Sequence, residues 1–397
     1  DGRVLYSIEC PRRRTETVVS READIFTALR SRQGSTEAGP AACTPKYQFY
    51  VVAITDRCDF ECPICFAEAS VSGRRFLTVD EVRRAAMAVK ANGGRRLSLS
   101  GGEPTLHPEL FQLVRAVRQE IGLSPTLITN GLRIGEDLPF LRDLKAAGLR
   151  RIHLQFDTLD GSVYRVMRGR SDPSEKLRAV DHVLAAGLRL GLITTVCELN
   201  LGELGRLLEY SQQLVPALRI HVFQPAVPVG RYPAGLRSVT REDVIRALAR
   251  TTGKYELREA DFLPFPTPGS GSGTAHPDCS AHVLMCSDGM RGRPLHLQAW
   301  GSMSQRDGAE GSAAPGPTAA EVQPSETVGE QQGLASRRRR RWHPFFVSVI
   351  GFMRPQARDD ERLQRCVVAS VSGGSLTPLC ERGCSLTPRS RRSRRPW

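Results

Sequence analysis

Between residues 47 and 256 the chain switches repeatedly between two hydrophobic periods. Residues 47–55 are a β-branched and aromatic run that reads as a strand. Thr78 then opens a stretch in which Val82, Ala85, Ala86 and Val89 recur at helical spacing, and Glu81 completes a capping box with Thr78. The same rhythm predicts strands over 96–100, 125–129, 151–156, 188–196 and 219–224, and helices over 108–120, 136–147, 174–186, 201–214 and 240–251. Gly148 and Gly187 stop two of these helices, and Asp243 forms a second capping box with Thr240. Six βα units in this order indicate an α/β fold: a parallel sheet with helices outside it. Six are too few to close an eight-stranded barrel, so the expected architecture is an open, partial (β/α)6 barrel. In such folds functional groups gather at the carboxyl ends of the strands.

The flanks are less regular. Residues 1–46 read as an amino-terminal extension holding a hairpin and a short helix near 21–30, and 47–256 as the barrel. Residues 257–300 form a cysteine-containing extension, with a Pro-, Gly- and Ser-rich linker over 264–277. Residues 301–341 are a low-complexity linker, expected to be disordered. Apolar character returns in 342–384, another cysteine-containing segment, and 385–397 form a basic tail.

Composition narrows the class. The chain has 397 residues, 40% of them hydrophobic and 25% charged, as in a soluble globular protein. No run of eighteen apolar residues predicts a membrane span. The chain starts at Asp1 without a basic-then-apolar leader, and its eleven cysteines point to metal binding in a reducing compartment, hence to the cytoplasm. The net charge of +14 owes much to the carboxyl-terminal part, including the arginine run 337–341. Only Trp342 and Trp397 accompany those arginines as aromatics, so nucleic acid is not an expected partner.

The chemistry begins at Cys58, Cys62 and Cys65, just after the first barrel strand. Three thiolates within eight positions suit a metal or an iron–sulfur cluster. On a cubane, three protein ligands leave one iron open, and an open position lets a site react as well as hold. The competing reading is a zinc knuckle short of one ligand, in a non-catalytic zinc- or cluster-binding interaction protein. Gly101-Gly102-Glu103-Pro104 follows the second strand; its glycines suit either close backbone approach to a ligand or a plain turn. Asn130 ends the third strand. Alternation in the fourth sends His153, Gln155 and Asp157 to one face and Leu154 and Phe156 to the other. Polar groups facing a barrel interior need partners. Thr194, Thr195 and Asn200 end the fifth strand, and Gln224 and Pro225 the sixth, where they are placed to touch substrate. Tyr164, Met167 and Arg168 follow the fourth strand on the substrate side, Cys197 reads as a buried small residue, and no catalytic acid or base is nameable. Of the remaining cysteines, Cys279, Cys286, Cys366, Cys380 and Cys384 read either as scattered ligands for an auxiliary iron–sulfur cluster or as ordinary buried and exposed thiols, while Cys10 and Cys43 stand apart.

The Cys-x3-Cys-x2-Cys spacing with Phe66 after it, together with Gly-Gly-Glu-Pro, resembles the radical S-adenosylmethionine (SAM) superfamily. The resemblance implies a 4Fe–4S cluster on Cys58, Cys62 and Cys65, whose open iron is chelated by the amino and carboxylate groups of SAM. One electron from a low-potential donor then splits SAM, and the resulting 5′-deoxyadenosyl radical abstracts hydrogen from a substrate. It also implies SAM contacts from Phe66, Gly101, Gly102, Glu103, Pro104, Asn130, Gln155, Asp157, Thr195 and Asn200, and it implies the partial barrel. Within the superfamily, Cys-Pro-Ile-Cys-Phe-Ala, Leu-Gln-Phe-Asp, Phe-Gln-Pro and His-Pro-Asp-Cys resemble dihydropterin methylases and tetraether lipid synthases. That branch implies carbon methylation of a pterin-like small molecule or, alternatively, carbon–carbon coupling of lipid chains. The chain departs from the branch in keeping only Cys10 of an amino-terminal metal knuckle, in lacking a cysteine shortly before Cys279, and in its arginine run before Trp342.

Overall fold

A computed structural model describes residues 2–10, 13–32, 47–170, 172–250, 257–264, 276–295 and 341–381. The 301–340 linker, most of the 264–277 linker, the basic tail, Cys43 and Cys384 lie outside the described residues. The amino-terminal part forms the expected hairpin, β1 (Val4–Cys10) and β2 (Arg13–Ser20), and then α1 (Ala23–Ser31). The barrel follows as β3 (Phe49–Thr55), α2 (Val79–Ala91), β4 (Arg96–Gly101), α3 (Leu110–Arg115), β5 (Ser124–Thr129), α4 (Leu132–Glu136), α5 (Leu138–Ala147), β6 (Arg151–Gln155), α6 (Gly161–Arg168), α7 (Ser174–Ala185), β7 (Arg189–Val196), α8 (Leu204–Gln213), β8 (Leu218–Pro225) and α9 (Arg241–Ala249).

Strands β3 to β8 lie side by side in chain order, each parallel to the next. Alternation sorts their side chains. Leu97 and Leu99 of β4, and Ile152 and Leu154 of β6, are fully buried against the helix layer. Ser98, Ser100, His153 and Gln155 therefore take the opposite, concave face. On α2, Val82, Ala85, Ala86 and Val89 are buried as the period requires, and both hydrogen bonds of the Thr78–Glu81 capping box are present.

Six strands are not the whole sheet. After β9 (Leu263–Pro264), β10 (Ser280–Ser287) and β11 (Gly292–Pro294), the carboxyl-terminal segment supplies β12 (His343–Ile350), α10 (Asp360–Gln364), β13 (Val368–Ser372) and β14 (Ser375–Pro378). Strand β12 pairs parallel with β8 at one edge, and β13 pairs parallel with β3 at the other. Antiparallel β10 and β14 then cover these two additions. A strand buried on both faces shows no alternation, only a short apolar run, which is all that residues 345–352 reveal in sequence.

Local differences have local causes. The helix expected over 108–120 changes after Arg115 into a π-helical turn, Ala116–Glu120, where Ile121 N–H reaches Ala116 O at 3.1 Å. The helix expected from 136 starts at Leu138, because the Asp137 carboxylate caps Phe140 N–H at 2.8 Å. Short α4 fills the preceding turn, and α6, capped by Asp160, is too short for its period to show. Among the described residues no helix is long and apolar enough to cross a membrane.

Candidate functional site

The chain leaves β3 into the loop that carries Cys58, Cys62 and Cys65, and distant parts of the fold pin it. Cys58 N–H donates to Ser70 O at 2.9 Å. Cys65 exchanges backbone hydrogen bonds with Arg231 at 2.9 and 3.0 Å, and the Arg231 guanidinium donates to Cys62 O at 2.8 Å. Gly230 makes this approach possible: its φ is +67°, and a Cβ there would sit 2.4 Å from Cys65 O. All three thiols are free, with Cys62 buried and the other two half-buried. Cys62 packs with Phe60 and Tyr164. Burial pushes the Cys58 thiol up to about 12 and raises that of Cys62, where Arg168 acts in the opposite sense.

The two glycines approach the protein's own backbone. A Cβ on Gly101, at φ +135°, would lie 2.2 Å from Thr55 O, and one on Gly102 would lie 2.1 Å from Arg57 O. Gly102 N–H and Glu103 N–H donate to those same two oxygens, each at 2.8 Å. The motif thus fastens the end of β4 to the start of the cysteine loop. Glu103, 1% exposed, accepts from Thr105 N–H (3.0 Å), Thr105 Oγ1 (2.7 Å), Thr129 Oγ1 (2.7 Å) and Asn130 N–H (2.7 Å). Burial and the neighbouring Asp59 raise its pKa, and these hydrogen bonds oppose the rise. Pro104 opens a 3-10 turn, and Asn130 Nδ2 donates to Asp59 Oδ1 at 2.6 Å.

At the ends of β6 and β7 a polar network replaces the loose set of ligand contacts that sequence suggests. Asp157, 1% exposed, takes a bidentate pair from Arg168 at 2.7 and 3.0 Å, and Thr195 N–H at 2.8 Å. The Gln155 side-chain amide donates to it as well. Arg168 also reaches Thr195 Oγ1 and, in the cysteine loop, Ile64 O, both at 2.9 Å. Asn200 bonds to Asp157 O and Thr195 O and accepts from Cys197 N–H, all at 2.9 Å. Asp157 and Asn200 are therefore saturated by protein partners, and Arg168 ties them to the loop. Cys197 is buried as expected, whereas Thr194 turns away to bond with His221 at 2.8 Å. Phe66 packs its ring on Phe352, centroids 5.4 Å apart.

Lys176 escaped sequence reading. It is 1% exposed, donates to Asn130 O and to Gln155 Oε1 (3.4 Å), and lies 5.1 Å from the Phe60 ring centre. Burial lowers its pKa to about 8. Its signal was available: residues 176, 179, 180 and 183 form one stripe of α7, and Lys176 is the charge among Ala179, Val180 and Val183.

Three further cysteines come together. Arg362 Nε donates to Cys279 Sγ at 3.3 Å, the Cys366 thiol interacts with Cys279, and Cys380 shares a hydrogen bond with Cys366. That bond lowers Cys366 and raises Cys380. Cys286 lies near the far end of β10, about 23 Å along the strand from Cys279 at roughly 3.3 Å per residue. It does not join the group. Beside the group, Pro225, Val227, Asp278, Phe352, Arg354 and Arg362 line a cleft. Cys10 ends β1. Among the described residues no three His, Cys, Asp or Glu side chains converge as one metal ion requires. Ligands of a cubane bind separate irons and stand further apart. Three free thiols on one loop, with the cations Arg168 and Lys176 beside them, suit an anionic cluster with an open iron.

Residues 52–210 match the family model described as the radical SAM superfamily. The 7,8-dihydro-6-hydroxymethylpterin dimethyltransferase of Methanocaldococcus jannaschii is 30% identical over 224 residues, 54% of this chain and 44% of that protein. The GTP 3',8-cyclase of Nitrobacter hamburgensis is 30% identical over 221 residues, 53% of this chain and 61% of that protein. The chain thus spans about half the length of these curated relatives. A solved structure of Streptococcus suis SuiB bound to S-adenosylmethionine superposes with a TM-score of 0.45 at 18% identity, covering 52% of this chain and 47% of that one. With the cysteine loop, the Gly-Gly-Glu-Pro turn and parallel strands β4 to β7 inside the matched region, residues 52–210 are a radical SAM domain.

Proposed function

We propose that the chain is a radical SAM enzyme acting on a pterin-like nitrogen heterocycle, for which carbon methylation is the favoured outcome. The observation that carries this reading is the cysteine loop, held at the carboxyl end of the sheet by Glu103, Arg168 and Arg231. In this reading Cys58, Cys62 and Cys65 hold a 4Fe–4S cluster. Bound there, cluster and SAM would supply a 5′-deoxyadenosyl radical once a low-potential donor delivers one electron.

The chain's residues do the rest. Burial keeps the Cys58 and Cys62 thiols protonated in the free protein, so cluster binding releases protons. Arg168 and Lys176 offset the negative charge that then remains. The Gly101–Gly102 backbone, Asn130, Gln155 and Thr195 border the SAM cleft. Asp157 and Asn200 act through Arg168 and the backbone as positioning residues, and Phe66 braces the loop against Phe352. Cys279, Cys366 and Cys380 would hold an auxiliary cluster, with Arg362 as its counter-charge. Residues 47–256 form the catalytic unit in this assignment, and 257–300 with 342–384 the auxiliary one, in a cytoplasmic protein.

The heterocycle is favoured on two grounds. The two relatives are named for a dihydropterin and for GTP, both bearing fused nitrogen rings. The concave face carries Ser98, Ser100, His153, Gln155 and Thr195, a poor lining for the lipid chains of the alternative reading. The test is anaerobic reconstitution with iron and sulfide, then dithionite and SAM. The expected result is 5′-deoxyadenosine, formed faster when a dihydropterin is added. A protein that binds zinc at the three cysteines and yields no deoxyadenosine overturns the reading.

A further inference from the structure

The opposite edge of the sheet collects positive charge that the chemistry above leaves unused. Arg151 and Arg189 are the first residues of β6 and β7, and they pair directly across the ladder. Neighbouring parallel strands lie about 4.8 Å apart, so the two side chains start side by side on the concave face. In β8 the register slips between Leu190–Leu218 and Gly191–Ile220, which inserts Arg219 as an extra residue at the same edge. Bulges of this kind re-aim a side chain. His343 opens β12, the next strand in the sheet, and Arg96 opens β4. Arg151, Arg189 and Arg219 are half-buried rather than splayed into solvent.

Among the described residues none of these three arginines has a carboxylate partner. The charged groups that act on Arg151 are Arg96, Arg189 and Arg219, and burial together with them holds it down at about 10. Burial and then Arg189 lower Arg219 in turn, and burial and then Arg219 lower His343. Two residues inward from Arg151, His153 is neutral, held down to about 3 by burial and by Arg151 and Arg96. Its ring lies over Gly191, where a Cβ would come within 2.5 Å of it. Like charges directly opposite on neighbouring strands destabilise a sheet, and desolvated cations need a counter-charge. Each guanidinium presents a planar fork that fits phosphate oxygens in pairs.

We propose that Arg151, Arg189 and Arg219 form an anion site at the amino edge of the sheet, taking phosphate-class oxyanions: inorganic phosphate or pyrophosphate, or the phosphoryl groups of a small molecule. Three half-buried guanidiniums confined to neighbouring strand starts fit a compact anion better than a nucleic-acid backbone, which needs charge spread over an open surface. The site is separate from the cysteine loop, and its test does not depend on cluster chemistry.

The experiment is titration calorimetry on the full chain with inorganic pyrophosphate, with guanosine diphosphate and guanosine to separate free anion from attached phosphoryl group. Wild type should bind pyrophosphate once per chain, with a rise in melting temperature. An R151Q/R189Q variant should lose at least tenfold in affinity, while its ligand-free melting temperature holds or rises because repulsion is relieved. An R151K/R189K variant, which keeps the charges, should retain part of the affinity. Guanosine diphosphate binding where guanosine does not would identify the attached phosphoryl group as ligand, and pyrophosphate binding alone would identify the free anion. No pyrophosphate binding by wild type, equal binding by R151Q/R189Q, or salt-sensitive binding of single-stranded RNA in place of pyrophosphate would overturn the site.

Discussion

The two cysteine groups are built in opposite ways. Cys58, Cys62 and Cys65 sit on a single loop, and the surrounding fold only has to hold that loop still. Cys279, Cys366 and Cys380 come from three segments, and they meet only when β10, α10 and β14 are all in place around Arg362. Local spacing prepares the first site, and tertiary structure assembles the second. The first should therefore tolerate loosening of the fold that destroys the second.

The sharpest way to break that contrast is by ligand removal. Changing Cys58, Cys62 and Cys65 together to Ala should reduce 5′-deoxyadenosine formation to background by chromatographic assay. Changing Cys366 and Cys380 to Ala should lower iron content while cleavage of SAM remains measurable. Equal loss in both variants would show that the two groups are not independent. Next in size is Arg168→Met, which strips the partner from buried Asp157. Breaking such a pair from one side costs about 3–5 kcal/mol, seen as a lower urea midpoint. Arg362→Met removes bonds to a thiol and a carbonyl, and the expected loss is smaller, about 1–3 kcal/mol.

Glu103→Gln keeps the shape but cannot accept all four donors that surround the carboxylate. About 1–3 kcal/mol should be lost, with local loosening visible as faster amide exchange at Asn130. The smallest effect is a pH dependence. Lys176 has a folded pKa of about 8 against the ordinary 10.5, so between those values the unfolded chain binds more protons. In the metal-free protein, wild type should gain stability relative to Lys176→Met as pH rises from 8 to 10.5. Below about pH 8 the difference should be flat. A difference that is flat across the whole range would mean that the lysine is not desolvated.

These contrasts follow what could be read from sequence. The six central strands, both capping boxes and the amino-terminal hairpin were legible because each follows from local period or local hydrogen bonding. The placement of Cys58, Cys62 and Cys65 on one loop after β3, and the Gly-Gly-Glu-Pro turn, were legible for the same reason. What was not legible is what depends on partners far along the chain. Asp157 reads as a ligand contact until Arg168 closes on it, and sequence does not show that the glycines also make room for the backbone of Thr55 and Arg57. Cys286 reads as a partner of Cys279 until strand β10 holds the two apart. Strands β12 and β13 hide because a doubly covered strand carries no alternation.

The way the sheet is finished has a consequence for how the protein is made. One stretch near the carboxyl terminus supplies the outermost parallel strand on both sides, β12 beside β8 and β13 beside β3. During vectorial synthesis the nascent chain must wait, with both flanks of the half-built sheet bare, until residue 371 clears the ribosome. Bare flanks of parallel strands recruit other chains. A premature stop anywhere before residue 343 should therefore yield inclusion bodies rather than a shorter folded chain.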